Sequence, residues 1–222
     1  MLAVDNKSSQ AGDPASPPLQ FENGDSMHTR EFLRRYERMP QLKKAELIEG
    51  VVYMGSPISV RHAKPDNLIQ LWLGAYASRH PEVEALTNAT VILDAENTVQ
   101  PDALLRRLPE HGGLTRVNEQ GYLVGPPELV VEIAASSASI DLRDKRRAYC
   151  RNGVQEYIVW LVAEHRIEWL CLEADEYHLQ LADNQSLLRS RAFPGLLLPL
   201  GPLLACDTAT VLQYAVGVET PP

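Results

Sequence analysis

Apolar positions in this chain come in short runs whose spacing changes along it. After an opening stretch with almost no apolar pattern, Phe32 and Tyr36 fall four residues apart. They share one face of a helix that Thr29 is placed to cap and that ends before Pro40. In Glu46-Leu47-Ile48-Glu49-Gly50-Val51-Val52-Tyr53-Met54, apolar β-branched residues flank one glycine. This predicts a strand pair or a bent strand, closed by Pro57. Residues 66–79 carry Leu68, Ile69, Leu71, Trp72, Leu73, Ala75 and Tyr76, a helical pattern stopped by His80-Pro81. Strands are predicted at 83–86, at 90–94 and over 99–105, the last with Pro101 near its start. Residues 106–125 show no strong pattern and read as a loop. The near-continuous apolar run at 128–134 predicts a central strand covered on both faces, with Glu132 inside it. Ser136, Ser137, Ser139 and Asp141 read as a turn and cap for a short helix, 141–151, ended by Asn152-Gly153. Strands at 156–161 and 167–173, short β-like runs to about 204 and one or two helical turns over 208–214 complete the order. The class is α+β (α/β-like): one mixed sheet flanked by helices, with extra C-terminal strands.

Composition bounds this picture. With 222 residues, 45% hydrophobic and 23% charged, fibrous and fully disordered classes are excluded. Residues 1–26, rich in Asn, Ser, Asp, Gly and Pro, read as a disordered arm, and 27–222 as one domain. The net charge of −8 argues against a broad electrostatic footprint for nucleic acid. It leaves room for a small basic patch or for a metal that recruits phosphate locally. Cys150, Cys171 and Cys206 form no CxxC pair, so free thiols and a cytoplasmic setting are expected. No run of about 18 apolar residues predicts a membrane span, and the first residues do not have the charge and hydropathy order of a secretory signal.

Candidate chemistry starts from Asp102 and Glu132. An ionised carboxylate inside an apolar strand is costly unless it is paired or holds a cation. Leu142, Lys145 and Tyr149 are spaced to share one helical face, which turns Lys145 toward the sheet near Glu132. Taken singly, Glu132 also fits a buried ion pair, and Lys145 fits a stem lying over apolar surface with its charge in water. Taken together, two carboxylates and a lysine form a recurrent arrangement for phosphodiester hydrolysis, with a hard cation on the oxygens and the lysine stabilising anionic charge. No GxSxG sequence is present, so a serine hydrolase is poorly supported.

Several segments occur in order: Glu46 to Val52, Ser56-Pro57 with His62, Gln100-Pro101-Asp102, Pro127 to Ile133, Asp141-Leu142 with Lys145, and Tyr149 with Gly153 to Tyr157. As a set, spanning about 27–200, they resemble the bacterial putative restriction endonuclease family of the PD-(D/E)xK nuclease superfamily. The resemblance implies a restriction-endonuclease-like fold and a metal-dependent endonuclease acting on DNA. It implies Mg²⁺, with Mn²⁺ as an alternative, on Asp102 and Glu132, and Lys145 as electrostatic catalyst. Glu46 and His62 would be accessory residues. Glu46 is favoured over Glu49, because in a regular strand residues three apart face opposite sides. The superfamily lysine is expected two residues after Glu132, where Ala134 stands, so Lys145 on the next helix takes that part. The turn Ala134–Ser139 lacks the family's proline, which loosens the hold on Lys145. A homodimer would pool Arg143, Arg146, Arg147 and Arg151 around a shared cleft. The alternative reading is a non-catalytic scaffold that keeps the nuclease fold.

Overall fold

The computed structural model of the chain describes residues 20–135 and 138–217. Folded structure begins earlier than the sequence pattern indicated. Phe21 is buried and stacks on Phe32 of α1 (Thr29–Tyr36), with ring centroids 5.3 Å apart. Gly24 N–H donates to the Val52 carbonyl, and Val52 N–H to that of Asp25. Residues 20–26 therefore belong to the packed structure, because one aromatic ring and an added strip of backbone pairing hold them. The rest of the predicted arm, 1–19, lies outside the described residues.

The segment 46–54 is a hairpin of β1 (Ala45–Ile48) and β2 (Val51–Met54). Its two-residue turn, Glu49-Gly50, has φ of 51° and 75°, the sense that matches strand twist. Helix α2 (Val60–Ala77) starts six residues before the predicted 66 and carries Pro65 inside it. A proline reads as a helix start; here the helix forgoes one hydrogen bond and runs on through it. Its buried stripe, Leu68, Ile69, Trp72, Leu73 and Tyr76, has the expected spacing.

Strands β3 (Val83–Thr87), β4 (Val91–Ile92), β5 (Thr98–Val99) and β6 (Ala103–Arg107) follow. The predicted strand 99–105 is thus two strands in two different sheets, with Gln100-Pro101-Asp102 crossing between them. Pro101 has no N–H to give a ladder, which ends the first strand. The predicted loop 106–125 holds a single 3₁₀ turn and two very short strands, β7 (Arg116–Val117) and β8 (Leu123–Val124). Two residues are too few to show a period.

The central strand is β9 (Leu129–Ala134). From its end the chain passes through α3 (Ala138–Ile140), a π turn (Asp141–Lys145) and α4 (Arg146–Asn152). Gly153, φ 83°, caps this helical run in the left-handed region. The run is the crossover that lets β10 (Glu156–Leu161) lie parallel to β9. The remainder comprises β11 (Arg166–Glu173), β12 (Glu176–Leu179), the separate hairpin β13 (Leu187–Arg189) and β14 (Leu197–Pro199), then α5 (Leu200–Leu204) and α6 (Thr208–Ala215).

Instead of one mixed sheet there are two, ordered β12-β11-β10-β9-β6-β3 and β2-β1-β5-β4-β8-β7. Alternation along β9 explains its apolar run. Leu129, Val131 and Ile133 face α2 and the C-terminal helices, while Val130 and Ala134 face Tyr149 and the second sheet. Glu132 shares the second face. Trp72 Nε1 donates to the Leu197 carbonyl at 2.9 Å and Tyr76 Oη to that of Pro194 at 3.0 Å, which ties α2 to the C-terminal segment. Among the described residues no helix is long and apolar enough to cross a membrane. All three cysteines are free thiols.

Candidate functional site

Sheet register brings the two leading carboxylates together. Strand β6 pairs antiparallel with β9, Ala103 opposite Val131. One step further along, position 102 falls opposite Glu132, and opposed residues project on the same face. Asp102 uses one oxygen to extend the ladder: its Oδ2 accepts the Ile133 N–H at 2.8 Å. Glu46, on the neighbouring sheet, turns the same way. Its Oε1 accepts Gln100 N–H at 2.8 Å, across the crossing that carries Asp102. Ala45 and Leu47 turn oppositely, into the core around Phe32. Glu49 sits in the hairpin turn, where it meets Arg147 and Arg151 outside this cluster.

Lys145 is the centre of the cluster. Its Nζ lies 2.9 Å from Glu132 Oε1, 3.0 Å from Glu46 Oε2 and 3.6 Å from Asp141 Oδ1. Asp141 and Lys145 stand four apart in this helical run, the spacing that puts both on one face. Tyr149 Oη donates to Glu132 Oε1 at 2.8 Å. Asp102 has its own cation, Lys44, with Nζ 2.9 Å from Oδ1. His62, expected just before a helix, lies in the first turn of α2 with Nε2 3.4 Å from Asp102 Oδ2. Its Nδ1 is buried and has no hydrogen-bond partner among the described residues.

All five residues singled out from sequence, Glu46, His62, Asp102, Glu132 and Lys145, line one cleft of about 400 Å³. Three contributors escaped that reading. Lys44 stands two residues before Glu46, the spacing of one strand face, and Asp141 stands four before Lys145, the spacing of one helix face. Both signals were present in the chain. The hydroxyl of Tyr149 had no local signal, since its ring alone accounts for a buried position. The proline-free turn named above includes residues 136 and 137, which lie outside the described residues. Of the arginines expected to gather round a cleft, Arg147 and Arg151 are engaged by Glu49, Asp144 and Asp94, and Arg146 donates to the Tyr177 carbonyl.

The electrostatics follow from burial. Burial pushes the Glu132 carboxyl up, and Lys145 opposes this. Burial works against the Lys145 ammonium, but Glu132, Glu46 and Asp141 outweigh it and hold that group well above the usual lysine value. The cluster therefore holds protons tightly. Asp102 goes the other way. Burial alone would raise it, but His62, Lys44 and the Ile133 N–H keep it well below the usual carboxylate range. Asp102 in turn raises His62 through a hydrogen bond.

An all-oxygen donor set of Glu46, Asp102, Glu132 and Asp141 suits a hard divalent cation such as Mg²⁺. Two ammonium groups, Lys44 and Lys145, stand among these four carboxyl groups. Among the described residues no three His, Cys, Asp or Glu side chains form a ready ligand cage; the Lys145 ammonium stands between the carboxylates. The donor atoms are of the type a hard cation takes, and Lys145 and Lys44 pair with them.

Fold and cluster together define the class. A crystal structure of "a putative nuclease belonging to DUF820" from Anabaena variabilis ATCC 29413 superposes with a TM-score of 0.62 at 14% identity. The match covers 78% of this chain and 97% of that one, which shows a common, restriction-endonuclease-like fold. The family model described as "Putative restriction endonuclease" (Uma2) matches residues 30–201, and the chain belongs to that family. Among curated proteins none matches.

Proposed function

We propose that the chain is a metal-dependent endonuclease that hydrolyses phosphodiester bonds in DNA. The observation that carries this reading is the placement of Asp102 opposite Glu132 on one cleft, with Glu46 and Lys145 beside them. Asp102 and Glu132 would hold Mg²⁺, or Mn²⁺ in its place. When bound, the cation supplies a Lewis acid for the phosphate and acidifies its water. The protein's part is to hold these carboxyl groups aligned, with Asp102 kept ionised. Ile133 N–H and His62 fix Asp102, and Tyr149 and Lys145 fix Glu132. His62 carries a proton at Nε2, beside Asp102, and is the candidate proton carrier of the cleft. Family membership and the fold shared with the "putative nuclease" from Anabaena variabilis support the reading.

Plasmid cleavage by purified protein tests it, with Mg²⁺, with Mn²⁺ and with EDTA. Divalent-dependent nicking is expected, lost in Asp102→Asn and Glu132→Gln. Cleavage that survives unchanged in Asp102→Asn would sink the assignment. A second reading, a scaffold without catalysis, is favoured by one observation: lysines already neutralise part of the carboxylate set. The two readings separate by thermal melting. A cation site raises the melting temperature with the logarithm of ligand excess, with about 2.7 kcal/mol of stabilisation at a hundredfold excess over Kd. A protein that shows neither cleavage nor a shift with Mg²⁺ or Mn²⁺ is the scaffold.

A further inference from the structure

The lysine that the sequence pointed to is poorly placed to touch a substrate. The Lys145 side chain is 4% exposed, and three carboxylates already surround its Nζ. A phosphate entering the cleft reaches that ammonium only by breaking the cluster. Lys44 differs in each respect. It lines the cleft, its side chain is 28% exposed, and it has one carboxylate partner at contact distance, Asp102 Oδ1. Its stem is also fitted to the backbone opposite. Gly55 N–H donates to the Lys44 carbonyl at 3.0 Å, and a Cβ at Gly55 would stand 3.0 Å from Lys44 Cβ and 3.4 Å from its Cγ. The bare glycine leaves the lysine stem room along the cleft wall.

We propose that Lys44 is the residue that meets the substrate phosphate, leaving Asp102 Oδ1 for a phosphate oxygen when nucleic acid enters, while Lys145 stays behind the carboxylates as a positioning residue. This rests on the nuclease reading above and names the group that contacts its substrate. The exchange balances in charge, because the ammonium leaves one anion for another. Asp102 is not stranded by it: Ile133 N–H and His62 Nε2 remain on Oδ2, and Oδ1 becomes available to a divalent cation. The ammonium that pairs with Asp102 thus becomes the ammonium that holds the substrate.

The test measures binding of a fluorescein-labelled DNA duplex by anisotropy over a salt series, with Ca²⁺ replacing Mg²⁺, beside plasmid cleavage with Mg²⁺. Loss of one phosphate contact lowers the slope of log K against log salt by about 0.9. Lys44→Met is expected to show that drop and to cleave about a hundredfold more slowly, the cost of losing one charge-stabilising donor. Lys44→Arg restores the slope. Lys145→Arg keeps the full slope, whatever it does to turnover. Lys43→Met removes the same charge from an exposed neighbour outside the cleft and leaves cleavage at the wild-type rate. Thermal melts establish folding, and Lys44→Gln, which keeps a hydrogen bond to Asp102, replaces Lys44→Met if the latter does not fold. A Lys44 variant with full slope and wild-type cleavage overturns the role of Lys44 and leaves the nuclease reading intact. A wild-type protein that neither binds nor cleaves the DNA overturns both.

Discussion

At the scale of single residues, the site is a problem in buried charge. Removing one member of a buried ion pair leaves its partners uncompensated, at a cost of about 3–5 kcal/mol. Lys145→Met takes the shared ammonium away from Glu132, Glu46 and Asp141 together, so urea unfolding is expected to show a loss of that size. Adding Glu132→Gln to the same chain removes one of those carboxyl groups, and part of the loss is recovered. Independent, additive effects of the two changes would show that the charges do not share one cluster. Charge in an unexpected setting is also what made parts of the site legible. Glu132 stood out because it interrupts an apolar strand, and Lys145 because its helical neighbours at i−3 and i+4 are apolar. Lys44 lies in a polar stretch next to Lys43, where one more lysine carries no contrast. Its partner is Asp102, 58 residues away in sequence, a separation that spacing rules do not reach.

At the scale of elements, the legible features were those with enough residues to repeat. The apolar stripe of α2, the doubly covered β9 and the glycine stop after α4 follow from local pattern. The split between β5 and β6 does not, because each half is apolar and only the pairing partners differ. Strand β10 carries a further buried acid. Glu156 accepts hydrogen bonds from Ser190 Oγ at 2.6 Å and from the Arg191 and Ala192 N–H groups, yet burial pushes its carboxyl above the usual range. A raised carboxyl costs nothing while both states are protonated. The cost grows once pH passes the unfolded value, about 4.3, and it persists at neutral pH. Glu156→Gln therefore gains stability relative to wild type as pH rises from about 4 to 7. Melting curves of both proteins across that range check this, and a difference that does not change with pH refutes it.

At the scale of the whole molecule, the net charge of −8 sets the terms for meeting DNA. Arg147 and Arg151 offer little compensation, since Glu49, Asp94 and Asp144 already engage them. Duplex binding is accordingly expected to be weak in EDTA and to strengthen when a divalent cation offsets the acidic cleft. Filter binding under both conditions measures the difference, and equal affinity would assign DNA contact to another surface. Two three-residue crossings, 88–90 and Gln100-Pro101-Asp102, carry the chain between the sheets, and Asn88 N–H joins them by donating to the Pro101 carbonyl at 3.1 Å. A rocking of the sheets would turn about these two short, hydrogen-bonded crossings. Displacement in such a motion grows with distance from the pivot, so strand ends and outer loops travel far while groups beside the crossing scarcely move. Asp102 is on the pivot, and Glu46 and Glu132 adjoin it through Gln100 and Ile133. The carboxylates would thus keep their spacing in such a motion, because they adjoin the crossings about which it turns.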